Sequence, residues 1–160
     1  MKHLISVEVE NRFGVLARIT TLFSARGFNI DSLTVGETED PTISRITMVV
    51  PGDDQLIEQV IKQLRKLIDV IKVVDLTQKE TITRELVMVR VSARGRDRDE
   101  IMRLVEIFRA RIVDVHSGSF TIEITGTEEK INGILTLLRP FGVKKLLRTG
   151  KIAMVREEKV

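Results

Sequence analysis

The chain has 160 residues, 42% of them hydrophobic and 31% charged, with a formal net charge of +3 and no cysteine. That length fits one ordinary domain or two small ones, the balance is that of a folded globular protein, and no apolar run approaches the roughly 18–20 residues of a membrane span. The missing thiol excludes disulfide and cysteine chemistry, and without a signal-like apolar core at the start the expected location is the cytoplasm.

The charge is uneven. Residues 1–78 carry 9 Lys+Arg against 11 Asp+Glu, a net −2, while residues 79–160 carry 17 against 12, a net +5. A basic second half suits an acidic protein surface or nucleic acid, and equally a solvated face.

In chain order, Ile5, Val7 and Val9 alternate in a predicted strand over His3–Val9. Asn11 and Gly14 bracket a short turn, and Val15, Leu16, Ile19, Leu22 and Phe23 follow at the spacing of a helix over Gly14–Arg26. Gly27 stands where a glycine ends a helix, and a second strand is predicted over Asn29–Glu37. The turn formers of residues 37–42, Pro41 among them, lead to a strand over Ile43–Val50. Pro51-Gly52-Asp53-Asp54 stops that strand and starts a helix whose apolar set runs from Leu56 and Ile57 to Leu67 and Ile68. A fourth strand covers Val70–Leu76, and Gln78-Lys79-Glu80-Thr81 reads as a short linker.

The order then repeats. Val87, Val89 and Val91 alternate, with Leu86 and Met88 apolar on the other side, which predicts a strand buried on both faces. A polar turn at residues 94–99 leads to a helix with Ile101, Val105 and Phe108. Strands at Ile112–Val115 and Phe120–Thr125 join through the hairpin His116-Ser117-Gly118-Ser119. A helix with Ile131, Ile134, Leu135 and Leu138 stops at Pro140, and the last strands lie near Val143–Leu147 and Ile152–Val155. The predicted fold class is therefore α+β: two consecutive ferredoxin-like βαββαβ sandwiches, at residues 1–78 and 79–160. Each core is thin, and pairing edge strands with a second copy relieves exposed edges, so a homodimer is expected.

The first turn has the chemistry of a small-molecule site. The opening N–H groups of a helix lack internal partners and carry the positive end of its dipole. A carboxylate is thus expected near the N–H groups of Gly14, Val15 and Leu16, where glycine admits a close approach. Asn11 and Asn29 offer donors and acceptors for an amine or carboxylate, and Val15, Leu16 and Ile30 offer apolar walls. The same residues equally serve as turn formers and caps.

The run Asn11-Arg12-Phe13-Gly14-Val15-Leu16-Ala17-Arg18-Ile19, then Arg26-Gly27-Phe28-Asn29-Ile30 and Ser32-Leu33-Thr34-Val35-Gly36, resembles the ACT domain that opens the small regulatory subunit of acetohydroxyacid (acetolactate) synthase. Ile107-Phe108-Arg109-Ala110, Ile112-Val113-Asp114-Val115, Pro140-Phe141-Gly142 and Arg148-Thr149-Gly150 are similar to that subunit's second half. The resemblance implies a non-catalytic chain that activates a separate catalytic subunit and takes a branched-chain amino acid, valine first, as feedback inhibitor. It implies effector binding where two ACT domains meet, the Asn11–Leu16 turn of one copy facing Asn29 and Ile30 of the other. Thiamine diphosphate, magnesium and FAD would belong to the catalytic partner, and none to this chain. The alternative is a stand-alone tandem ACT sensor acting on transcription or another enzyme.

Other chemistries have weaker footing. Two histidines, His3 and His116, and no cysteine make no metal-ligand cluster. His116 with Ser117 and Ser119 lies at a hairpin tip with no orienting acid, and Asp97, Asp99 and Glu100 complement a helix dipole. Nucleic-acid binding on such a sheet needs strand aromatics; Trp and Tyr are absent and only Phe120 is central to a predicted strand.

Overall fold

The computed structural model describes residues 1–157, which form two compact units. The first contains Met1–Ile82 together with residues 150–157; the second is Thr83–Thr149.

In the first unit the order is β1 (Lys2–Glu10), α1 (Val15–Ala25), β2 (Ser32–Glu37), β3 (Ile43–Pro51), α2 (Asp54–Leu64) and β4 (Val70–Asp75). The strands form one antiparallel sheet in the order β2-β3-β1-β4. Val7 lies opposite Ile46 and Ile5 opposite Met48, so the alternating apolar residues of the two central strands share one face. On that face they pack with Ile19, Phe23, Ile57, Val60 and Leu64 in a single buried cluster. Each such side chain contributes about 1.5–3 kcal/mol of burial. The helix starts differ: the Asp53 carboxylate caps α2 by accepting from the Leu56 N–H at 2.8 Å, whereas no side chain caps α1.

The second strand starts three residues later than Asn29. Gly27 and Phe28 N–H groups close onto Ser24 and Phe23 carbonyls, the Asn29 side chain turns onto Asp31, and only then does β2 align with β3. Residues 150–157 return to the first unit, although the sequence groups them with the second half. A Cβ at Gly150, whose φ is +92°, would stand 2.6 Å from Thr34 Oγ1 and 2.8 Å from Ser32 Oγ, so this close crossing of β2 requires glycine. Further on, Ala153, Met154 and Val155 line a groove with Ser6, Glu8 and Arg45, on the sheet face that the helices leave uncovered.

The second unit repeats the pattern with β5 (Thr81–Ser92), α3 (Asp97–Ile107), β6 (Arg111–His116), β7 (Ser119–Gly126), α4 (Glu128–Leu138), a 3-10 turn at Arg139–Phe141 and β8 (Val143–Arg148). Its sheet order is β6-β7-β5-β8, and the last described strand is β9 (Ile152–Val155), in the first unit. The core holds Val87, Val89, Val91, Ile101, Phe120, Ile122, Ile124, Ile131 and Leu138. The expectation of a strand buried on both faces is corrected: Met88 is 38% exposed, because the core lies on the Val87–Val91 face only and a two-layer unit has no third layer. Glu85, buried, holds Arg148 through two hydrogen bonds of 2.8 and 2.7 Å, which raises the guanidinium pKa above its usual value.

Candidate functional site

The βα turn after β1 is held by bonds to residues far along the chain. Asn11 N–H donates to the Thr42 carbonyl at 2.7 Å, and its side-chain amide donates to Glu37 Oε1 at 3.1 Å and the Pro41 carbonyl at 3.0 Å. The side-chain amide therefore ties the turn to the end of β2 and the β2–β3 connection. Gly14 adopts φ 82°, ψ −4° at the N-cap of α1, a left-handed conformation that disfavours any side chain. A Cβ there would meet only Arg18 Nη1, at 4.0 Å, so conformation and not crowding demands glycine.

Around the α1 N-terminus, Val15 N–H reaches the Arg12 carbonyl at 3.4 Å and Arg18 N–H the Gly14 carbonyl at 3.0 Å. The Leu16 and Ala17 N–H groups have no side-chain cap, and the first turn contains no acid. The uncapped N–H groups thus include that of Leu16, within the expected Gly14–Leu16 set, and that of Ala17 beyond it. Arg18 adds a charge the motif reading missed: its Nη2 is 2.7 Å from the buried Asp69 carboxylate, and Nη1 faces the Gly14 turn. Its place four residues after Gly14 was the available signal.

The apolar candidates divide. Leu16 is 41% exposed and available to a ligand, and Ile30 is half-buried against the core. Val15 is 4% exposed and belongs to the core, so it does not form a pocket wall within the chain. Asn29 is exposed and donates to Asp31 Oδ1 at 2.8 Å. It follows the C-terminal end of α1, while Gly14 stands at the N-terminal end. Eleven helical residues separate the two groups, a rise of roughly 16 Å. One chain does not bring the six residues together.

Elsewhere, Phe120 is buried with the Arg98 guanidinium 4.4 Å over its ring, and Arg98 also donates to the Ala93 and His116 carbonyls. That ring is not presented for base stacking. Among the described residues no group of three or more His, Asp or Glu is placed to hold a metal ion.

Residues 5–72 match the family described as AHAS small subunit-like ACT domain, and residues 84–157 match the small subunit of acetolactate synthase. The chain is 57% identical over 159 residues to a probable acetolactate synthase small subunit of Archaeoglobus fulgidus, covering 99% of each. It is 54% identical over 157 residues to the acetolactate synthase small subunit of Aquifex aeolicus, covering 98% of this chain and 82% of that one. The crystal structure of the acetolactate synthase small subunit from Thermotoga maritima superposes with a TM-score of 0.89 at 42% identity, covering 99% of both chains. Matched in both halves and aligned with such relatives almost end to end, the chain belongs to the acetolactate synthase small subunit family and opens with an ACT domain of that family's type.

Proposed function

We propose that the chain is a non-catalytic regulatory subunit that binds a branched-chain amino acid, valine first, between the ACT domains of two copies and transmits occupancy to an acetolactate synthase catalytic subunit. The observation that carries this reading is the separation of the candidate residues to opposite ends of α1. Two antiparallel copies of α1 would set the turn of one beside Asn29 and Ile30 of the other. The strand β2, at the edge of its sheet, is suited to join the two sheets.

In that pocket the ligand carboxylate would meet the Leu16 and Ala17 N–H groups and Arg18, its ammonium group Asn11 Oδ1, and its branched side chain Leu16 and the partner copy's Ile30. Valine regulates only if it binds one arrangement of the dimer more tightly than another, because equal affinity shifts no population. Thiamine diphosphate, magnesium and FAD would be carried by the catalytic partner, with this chain supplying none of their ligands. Cytoplasmic placement follows from that partnership.

Calorimetric titration with valine, with serine and phenylalanine as controls, tests the reading on the native chain and on Asn29→His. Saturable binding at one or two sites per dimer, abolished in the variant, is the expected result. No binding by the chain alone or with the catalytic subunit would turn the assignment toward a stand-alone sensor of another effector.

A further inference from the structure

Two large apolar side chains of the first unit stand almost wholly in solvent: Phe13, fully exposed, and Ile68, 94% exposed. A lone exposed apolar residue is ordinary, but these two lie at the same end of the unit. Arg18 joins the residues that follow them: its Nη2 is 2.7 Å from Asp69, and its Nη1 is 4.0 Å from where a Cβ on Gly14 would stand. The Asp69 carbonyl also accepts from the Glu10 N–H at 2.9 Å, at the start of the same turn. Ile71, 52% exposed, carries the patch onto β4.

Neither projecting residue rides on a loose loop. Asn11 fastens the Phe13 turn to Thr42, Glu37 and Pro41. The Ile68 loop is closed by the Leu67 N–H on the Leu64 carbonyl and the Val70 N–H on the Leu67 carbonyl, and the Leu67 side chain packs on the core. Apolar side chains held in solvent add nothing to this core, and on a fixed frame they lose little freedom when a partner covers them. Buried anchors of that kind carry most of the energy of protein interfaces.

Charge sets the chemistry of the partner. Arg65 and Lys66 lead into the Ile68 loop, both exposed and, among the described residues, without an ion pair. Arg12 and Arg18, 70% and 54% exposed, stand at the turn, and the two acids of this end, Glu10 and Asp69, are already engaged by them. The rim is therefore cationic, and its complement is an apolar hollow edged with carboxylates. A second copy is the poorer occupant. β4 is the opposite edge of the sheet from β2, and the bulge at Ile71, between the pairs Val9–Val70 and Glu8–Lys72, spoils that edge for strand pairing.

We propose, resting on the regulatory-subunit reading, that Phe13 and Ile68 are the anchors by which the chain docks into a carboxylate-edged apolar hollow on the catalytic subunit. Arg18 ties both loops to the amino-acid turn, so a ligand carboxylate on Arg18 is felt one residue away from each anchor.

The test titrates the acetolactate synthase catalytic subunit with the native chain, with Ile68→Glu and Phe13→Ser, and with Ile107→Glu, the same change at a 73% exposed site in the second unit. Acetolactate formation and direct binding are both read. Ile68→Glu and Phe13→Ser are each expected to raise the half-saturating concentration about tenfold or more, and Ile107→Glu to leave it within about twofold. Thermal unfolding, sedimentation and valine titration of Ile68→Glu should match the native chain, because the side chain it replaces touches little of the fold. Added salt should weaken the association. If the native chain binds and both anchor variants bind equally well, this inference fails and the regulatory reading stands; if the native chain neither binds nor activates, both fail. Equal loss in Ile107→Glu, a changed self-association in Ile68→Glu, or an association indifferent to salt also overturns the proposal.

Discussion

Arg18 is bound to Asp69, a side chain 51 positions later in the sequence, and this makes it a fixed charge beside the α1 turn. Held through Nη2, it keeps Nη1 toward Gly14, where a ligand carboxylate is proposed. Because Asp69 is buried, Arg18→Gln leaves its carboxylate without the ion-pair partner and should cost about 1–3 kcal/mol of stability while lowering valine affinity about tenfold, read by thermal unfolding and by calorimetry on the same sample. Asp40 offers a pH prediction. The Thr42 hydroxyl, then the Thr42 N–H, donate to its carboxylate and hold its pKa below the usual 3.8. A depressed folded-state pKa means stabilisation that is complete above the unfolded value and is lost as pH falls through the lower folded one. Carboxyl NMR should place the Asp40 titration below 3.8, and Thr42→Val should move it back up.

At the scale of elements, α1 and α2 are equal in length and opposite in design. Asp53 closes the start of α2, and the charged residues Asp54, Glu58 and Lys62 lie exposed while Ile57, Val60 and Leu64 are buried, so this helix serves the core. Leu64→Ala should destabilise the first unit by about 2–5 kcal/mol, measured by denaturant unfolding, because the fully buried site leaves a cavity. The α1 start has a glycine N-cap and no acid in its first turn, forgoing roughly a few tenths of a kcal/mol relative to a capping side chain, which is the state expected of a helix end kept open for an anion. Both helices were legible from the spacing of their apolar residues. Val15 is instructive: the sequence offered it both as part of the helical face of Ile19 and Leu22 and as a pocket wall, and the structure buries it in the core.

For the molecule as a whole, the repeat of two βαββαβ units was readable because each strand and helix carries its own period of apolar residues. The proposed effector site requires a second copy, so assembly and binding should fail together. Val35, 43% exposed on edge strand β2, is the place to separate them from folding: Val35→Lys should yield a folded monomer by sedimentation and abolish saturable valine binding. A variant that stays dimeric and binds valine normally would place the interface elsewhere.

The sequence by itself determined the local periods, the glycine at the head of α1, the likeness to a known family and the six candidate residues, since these depend on neighbours a few positions apart. Tertiary structure decided what depends on distant partners. The Arg18–Asp69 pair, the burial of His3 beside Asp54 and Thr77, the return of the chain at Gly150 to β2, and the exposure of Met88 all join residues from separate elements or layers. A one-dimensional period reports which face of an element is apolar. It carries no information on which other element, or whether any, comes to cover that face.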